Sequence, residues 1–381
     1  MRIRPTLSSD RGAYTVWAEI IPVEPDLGHA SEGRLFHMTR NPHACHLPAM
    51  DREHAGRKPL MHMIMRTLGL AAFLACAMMG RPAMAASWQI TVVLDWFLNA
   101  DHASLLAAQY SGAFARHGLD VKLIAPSDPG SPARLVAAGQ AEMAVSYQTQ
   151  LGMLADQNIP LVRVGTLIDT PLNVLITRGE IGDLASLKGK TIGISMPGVD
   201  DAALDAMLHS AGLGLGDVHQ VNVNFQLEQA IMSHAVDGVI GAVRTYELID
   251  LQQKGLHVSA FFPEEHGVPM SDELIFLVGR AHVRDGWIRP FMEALAEGAN
   301  TLINHPDTIL AQAIHDHPEL DTPLNRAAWQ ATLPHVCKQP ALLNVPRYEA
   351  FATFLHAHGI MTHDVALGQY AVDPFALPSA P

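Results

Sequence analysis

The sequence predicts an α/β protein of two lobes with a ligand cleft between them, and three observations carry that prediction. From residue 90 onward, short apolar runs rich in β-branched residues alternate with stretches of helical period, the pattern of mostly parallel sheets covered by helices. The strands are too many for a single lobe. Two extended segments, near 170–178 and 263–275, join the two sets, so the chain crosses between lobes twice.

The first strand, 90–94, runs into a cluster of polar and aromatic residues: Asp95, Trp96, Asn99, Asp101 and His102. A helix follows over about 103–117. Strand, polar tip and helix is how an open α/β sheet presents binding groups at the carboxyl end of its first strand. The plainer reading makes Trp96 and Phe97 core, with Asn99 or Asp101 capping the helix. Residues 119–124 form the second strand, Ser131 caps a helix through Ala138, and Gly139 ends it. The strand 141–146 delivers Tyr147 and Gln148 to its tip, and a helix over 149–157 leads to the strand 161–168. After a break at 169–173 the chain extends again over 174–177. The second set has strands at 191–195, 221–223 and 238–242 and helices at 200–211, 227–234 and 248–254. Residues 257–262 and 273–278 are extended, the latter returning to the first lobe. Helices at 287–304, 306–315, 326–333 and 348–358 pack around that lobe. Lobe I therefore takes 86–176 with 268–381, and lobe II takes 177–267.

Residues 1–64 mix Arg, His and Pro with no sustained period and read as an extension upstream of a start at Met61, Met63 or Met65. Residues 65–85 read as a signal peptide, with Arg66 in a positive start, an apolar run over 68–79 and an Ala-x-Ala site at Ala83-Met84-Ala85. The apolar run falls short of the roughly 20 residues that span a membrane. Cleavage near Ala85 predicts a periplasmic protein. Phe73-Leu74-Ala75-Cys76 is a poor lipidation motif, because Phe stands where an aliphatic residue is usual. The whole sequence has a net charge of −13. Residues 86–381 hold 15 Lys+Arg against 31 Asp+Glu, a balance that disfavours nucleic acid and anionic membrane surfaces as partners. Only Cys337 follows the signal, so no intramolecular disulfide is available.

No Gly-x-Ser-x-Gly elbow, phosphate loop, His-Glu-x-x-His or Cys-x-x-Cys pair is present. The glycines of Gly212-Leu213-Gly214-Leu215-Gly216 follow a helix rather than opening one. The histidines are scattered, and the sequence assigns no metal, no cofactor and no catalytic group; it predicts a binding protein, not an enzyme. What recurs is placement. Trp96, Tyr147, Asn173, Gly198, Tyr246 and Glu247 lie just beyond predicted strand tips or at a crossing, the positions that face a cleft. Aromatic groups and single polar groups at such tips favour a small planar ligand. Asp200 and Asp201 at a helix start disfavour a phosphate or sulfonate. Glu247, unless it only starts the next helix, matches the paired donors of an aminopyrimidine.

Leu94-Asp95-Trp96-Phe97-Leu98-Asn99-Ala100-Asp101-His102 resembles the Leu-Asp-Trp-x-Pro-Asn-x-x-His segment of the substrate-binding proteins of ABC importers for pyrimidine precursors of thiamine. Residues 135–141 with 145–148, Pro171-Leu172-Asn173, residues 187–193, 236–242 with Tyr246-Glu247, and Gly267-Val268-Pro269 are similar to the same family. The resemblance spans roughly 90–280 and implies a type II periplasmic binding fold, acting as a monomer that hands its ligand to an ABC permease and its ATPase. It implies Trp96 and Tyr147 as stacking walls, Asn99 and His102 as hydrogen-bonding groups, Asn173 at the crossing, and Glu247 beside Tyr246 as the group that orients the pyrimidine. This chain departs from the pattern at Leu98, at Met270-Ser271-Asp272 and at Val243-Arg244-Thr245, where Pro or aromatic residues are usual. Riboflavin, an aromatic acid, a sulfonate or nitrate are the alternative ligands. Enzymes that make the thiamine pyrimidine share the fold, but their cysteine-rich motif is missing here.

Overall fold

The computed structural model describes residues 87–378, all within the compact unit Pro82–Pro381. The predicted N-terminal extension and signal peptide lie outside the described residues. Among the described residues, no helix is long and apolar enough to cross a membrane.

Ten strands follow one another: β1 (Trp88–Val93), β2 (Leu119–Ile124), β3 (Met143–Ser146), β4 (Leu161–Ile168) and β5 (Asn173–Arg178), then β6 (Thr191–Ile194), β7 (His219–Asn222), β8 (Gly238–Val243), β9 (Val258–Phe261) and β10 (Leu274–Gly279). They form two five-stranded sheets, ordered β2-β1-β3-β10-β4 and β7-β6-β8-β5-β9. The inner strand β3 is buried along its whole length, and so is the edge strand β4, which bridges to Ala371 and Val336 of the C-terminal segment; the other edge strand, β2, alternates buried Leu119 and Val121 with exposed Asp120 and Lys122. The fold is therefore the two-lobed α/β architecture that the alternation of elements predicts.

The pairing is less uniformly parallel than expected. β10 runs antiparallel to β3 and β4, and β5 runs antiparallel to β8 and β9. The crossings explain this. β4 ends at the carboxyl edge of the first sheet, so the chain enters the second lobe at the cleft and β5 must run away from it. β9 ends at the cleft in turn, and β10 starts there. The division at 176/177 is accordingly corrected: it would cut through β5, and the first crossing is residues 169–172, so Asn173 to Ile176 belong with the second sheet.

Two local expectations also change. The helix expected over 103–117 is broken by Gly112, whose φ of +74° is a left-handed conformation that glycine adopts without strain. The pieces are Ala103–Tyr110 and Ala113–Arg116, preceded by a 3₁₀ turn at Ala100–His102. Ser131 is not the cap of its helix but its first residue, and its hydroxyl donates to the Asp128 carbonyl at 2.8 Å. Gly139 ends that helix as expected, with φ +68°.

The first core gathers Ile90, Val92, Val145, Phe276 and Phe291; the second gathers Leu175, Ile192, Leu204, Met207 and Ile240. The lobes also touch outside the cleft floor. Ala202 and Ala206 of the helix Val199–Ser210 pack with Phe351, Phe354 and Leu355 of the helix Val345–Ala357. Trp96 meets Phe225 edge to face, with ring centroids 4.5 Å apart. Thr245 donates to Asp101 at 3.2 Å.

A cation sits in the first core. Arg163, in the middle of β4, is fully buried. Its guanidinium donates to the carbonyls of Ala341, Leu342 and Val372 at 3.0, 2.8 and 3.1 Å and to the Thr166 hydroxyl at 2.6 Å. Thr166 passes its own proton to Asp272 at 2.7 Å, and Asp272 also accepts from Tyr348 and pairs with Arg347. The network ties the C-terminal segment to the sheet and ends at Asp272 on the cleft wall.

A candidate ligand cleft between the lobes

The cleft has an outer chamber of about 710 Å³, open to solvent, and a deeper one of about 340 Å³; Tyr147, Gly241, Val243 and Glu273 line both. Asp95, at the end of β1, organises the floor. His102 Nε2 lies 3.0 Å from Asp95 Oδ1, and the Tyr147 hydroxyl donates to Asp95 Oδ2 at 2.8 Å. His102 Nδ1 accepts from the Asn99 backbone N–H, and Asn99 Oδ1 accepts from the Asp101 N–H at 2.8 Å. That capping box holds the 3₁₀ turn, and with it the whole Asp95–His102 cluster, against the sheet. With Nδ1 accepting, the imidazole carries its proton on Nε2 and donates to Asp95.

Carboxyl groups crowd this floor. Asp95, Asp101, Glu247 and Glu273 all line the deeper chamber and all are buried. Burial raises the Glu273 carboxyl to about 7, although it accepts from the Leu172 and Asn173 N–H groups at 2.6 and 3.1 Å. Burial, together with the nearby charge of Glu228, pushes Glu247 well above the usual carboxylate range, against the pull of the Val243 N–H that donates to it at 2.8 Å. Burial likewise raises Asp101, offset by the Thr332 hydroxyl. The Tyr147 hydroxyl, buried beside Asp95, keeps its proton far above 10. Such a floor offers both acceptors and protonated donors, and among the described residues no Lys or Arg lines it to receive an anion.

The helix entry at the cleft wall is closed to oxyanions for a related reason. Asp200 Oδ2 takes the N–H groups of Ser195 and Met196 at 2.8 and 2.9 Å, and Asp201 takes that of Gly198. Burial lifts Asp200 to about 6. Gly241 packs against this cap so closely that a Cβ would sit 2.6 Å from the Ser195 hydroxyl and 2.7 Å from Asp200 Oδ2, at a φ of +89°.

Of the eight residues expected at the site, five line the cleft. Trp96, Asn99, Tyr147 and Glu247 line the deeper chamber, and Tyr147 and Asn173 the outer one. Asn173 Oδ1 is buried without a hydrogen-bond partner, an acceptor placed for a ligand. The other three take different places. His102 is fully buried behind Asp95, with both nitrogens engaged. Gly198 faces Met153 across the lobes, where a Cβ would approach the methyl to 2.8 Å. Tyr246 packs on the apolar cluster of Leu302, Leu310 and Trp329. Glu247 combines both roles weighed for it, starting the helix Glu247–Gln253 and lining the deeper chamber. Asp95 and Glu273 were not singled out as site residues. Asp95 was visible in the opening cluster, whereas Glu273 had no local signal beyond its position where the chain returns. Asp272 and Ser271 line the outer wall, at the departure from the family pattern that the sequence shows.

A family model described as NMT1/THI5 like matches residues 99–309. A Haemophilus influenzae protein named as a thiamine biosynthesis protein is 42% identical over 288 residues, covering 75% of this chain and 92% of its own. The formylaminopyrimidine-binding protein of Halalkalibacterium halodurans is 31% identical over 239 residues, 62% of this chain and 72% of its own. Among solved structures, the alkanesulfonate-binding protein of Xanthomonas axonopodis pv. citri aligns with a TM-score of 0.60 at 15% identity, over 75% of this chain and 99% of that one. A Candida albicans protein described as having the generic periplasmic binding protein fold aligns with a TM-score of 0.60 at 13% identity, over 76% and 97%. These likenesses show the periplasmic binding protein fold. The expectation that the chain is not an enzyme is corrected by further relatives. The Uromyces fabae protein named 4-amino-5-hydroxymethyl-2-methylpyrimidine phosphate synthase is 24% identical over 276 residues, 68% of this chain and 79% of its own, and several other relatives carry that enzyme name.

Proposed function

The chain belongs to the NMT1/THI5-like family, and from that membership we propose that it is an extracytoplasmic solute-binding protein that captures a pyrimidine precursor of thiamine. The observation that carries the proposal is the deeper chamber, where buried Glu247, Glu273 and Asp95 converge with the half-buried Tyr147 between the lobes beside Trp96. An aminopyrimidine presents an exocyclic amine next to a ring nitrogen. A neutral carboxylic acid answers both, its carbonyl accepting from the amine while its O–H donates to the ring nitrogen. The environment of Glu247 favours that neutral acid, so the sequence-based expectation of a charged carboxylate is revised. Glu273 and Asn173 Oδ1 are further acceptors for amine or amide hydrogens, and Trp96 and Tyr147 supply flat faces. The relative named for formylaminopyrimidine binding favours this ligand class.

In this reading the lobes close on the ligand, and the closed form is what an ABC permease recognises before its ATPase drives import. The contacts of Trp96 with Phe225 and of Asp101 with Thr245, which join the lobes in this structure, support such a closed form. Mass spectrometry of small molecules released when the purified protein is unfolded tests the ligand class. An aminopyrimidine supports the proposal, and a flavin, a sulfonate or an aromatic acid in its place overturns it. The synthase names among the relatives favour a second reading on the same chamber, formation of the pyrimidine phosphate. Appearance of that phosphate ester in the same samples distinguishes it.

Binding is expected to release a proton. Glu273 is raised to about 7 in the free protein, and its ionised form is the stronger acceptor for an amine hydrogen, so a ligand held there favours the carboxylate. The bound form lowers its affinity for the proton, so ligand affinity falls as pH drops below about 7, approaching tenfold per pH unit. Glu273→Gln flattens this dependence, whereas Asp200 continues to titrate in both proteins. Calorimetry in buffers of different ionisation heat measures the proton released; an affinity and proton count independent of pH remove Glu273 from ligand contact.

A further inference from the structure

A second cluster lies outside the cleft, where the lobes meet on the helices Val199–Ser210 and Val345–Ala357. Asp205 and His209 are one turn apart on the first helix, which belongs to the second lobe, so both project from one face. His358 is the C-cap of the second helix, which packs on the first lobe. His358 Nδ1 lies 2.8 Å from Asp205 Oδ2, and His209 Nδ1 lies 3.1 Å from Asp205 Oδ1. One ligand atom from each of the three residues falls within 4.8 Å of the others.

We propose that Asp205, His209 and His358 bind a divalent transition-metal ion of the zinc class, and that this ion ties the two lobes together. Two imidazoles and one carboxylate are a donor set that suits zinc, with water completing a tetrahedral shell. Calcium and magnesium, which prefer oxygen ligands, are disfavoured. A tetrahedral zinc separates its ligand atoms by about 3.4 Å, given metal–ligand bonds of about 2.0–2.1 Å. His209 Nδ1 also lies 2.8 Å from the Asp205 carbonyl oxygen, so the His209 ring turns from that contact to ligate. Its setting is prepared in two ways. Both helices end here, so both negative dipole ends face the ion. The His358 ring is also braced by Phe354, 4.6 Å away between centroids, and met edge to face by His209 at 5.9 Å. His209 is exposed and Asp205 and His358 are partly so, which leaves a path for the ion. Asp205 and His209 have the spacing of two ligands on one helix face, but the third ligand, His358, lies far along the chain, and the sequence alone does not join them.

The test is titration of chelator-stripped protein with zinc chloride alone, read by calorimetry and by the rise in melting temperature that specific binding produces. Wild-type protein is expected to bind an ion that Asp205→Asn, His209→Gln and His358→Gln each weaken by about tenfold or more. His363→Gln, whose ring pairs with Asp156 elsewhere, retains it. Cobalt substitution gives a second readout independent of stability: a tetrahedral absorption band in the wild type that His209→Gln and His358→Gln abolish. No binding by the wild type, or variants that bind zinc and cobalt as it does, overturns the site. Loss in Asp205→Asn and His209→Gln with full retention in His358→Gln overturns the tie between lobes.

Discussion

Glu247→Ala is expected to weaken capture of an aminopyrimidine by about 1–3 kcal/mol, two neutral hydrogen bonds at about 0.5–1.5 kcal/mol each. The side chain is buried on the chamber floor, and its removal leaves the amine and ring nitrogen of the ligand facing apolar space with the Val243 N–H. Glu247→Gln separates charge from hydrogen bonding. An amide keeps one acceptor and one donor, so a site that uses the neutral acid retains most of its affinity with Gln. A site that uses the carboxylate loses as much with Gln as with Ala. Calorimetric affinities for the three proteins decide this, and unchanged affinity in the Ala variant removes Glu247 from the site.

The second large effect concerns stability. Arg163→Leu leaves the carbonyls of Ala341, Leu342 and Val372 without their buried donor and removes the guanidinium that donates to Thr166, the start of the link to Asp272. The expected cost is about 3–5 kcal/mol, as for other buried charged networks broken from one side, or roughly 6–20 °C in melting temperature. Leu replaces part of the lost volume, so the effect comes from the stranded polar groups rather than from a cavity. Urea unfolding measures it. A loss below about 1 kcal/mol would mean that water reaches those carbonyls, and that the C-terminal segment is held by its apolar contacts instead.

Much of the fold is legible in the sequence because its signals are local. β2 and β4 fall at the residues that their β-branched runs predict, and Gly139 ends its helix with the left-handed geometry expected. The reversed strands β5 and β10 are not legible, since strand direction is set by which sheet the chain enters and not by the residues themselves. For the same reason the lobe boundary at 176 falls inside β5. At the site, placement beyond strand tips finds Trp96, Tyr147, Asn173 and Glu247. It also names Gly198 and Tyr246, which line neither chamber, while His102, which the resemblance implies, turns behind Asp95. Glu273 escapes because its burial depends on the packed lobes, and its partners, the Leu172 and Asn173 N–H groups, lie a hundred residues earlier in the chain. Gly241 reads as an ordinary strand glycine until Ser195 and Asp200 are seen against it.

Calorimetric titration of the unfolded and refolded protein, freed of any carried-over ligand, with hydroxymethyl and formylamino aminopyrimidines beside thiamine, riboflavin and taurine addresses the proposed capture most directly. Binding of an aminopyrimidine with a dissociation constant of about 1 μM or tighter, or roughly −8 kcal/mol, and no heat from the others is the expected result. Tight binding of taurine or riboflavin with no response to either pyrimidine would contradict it.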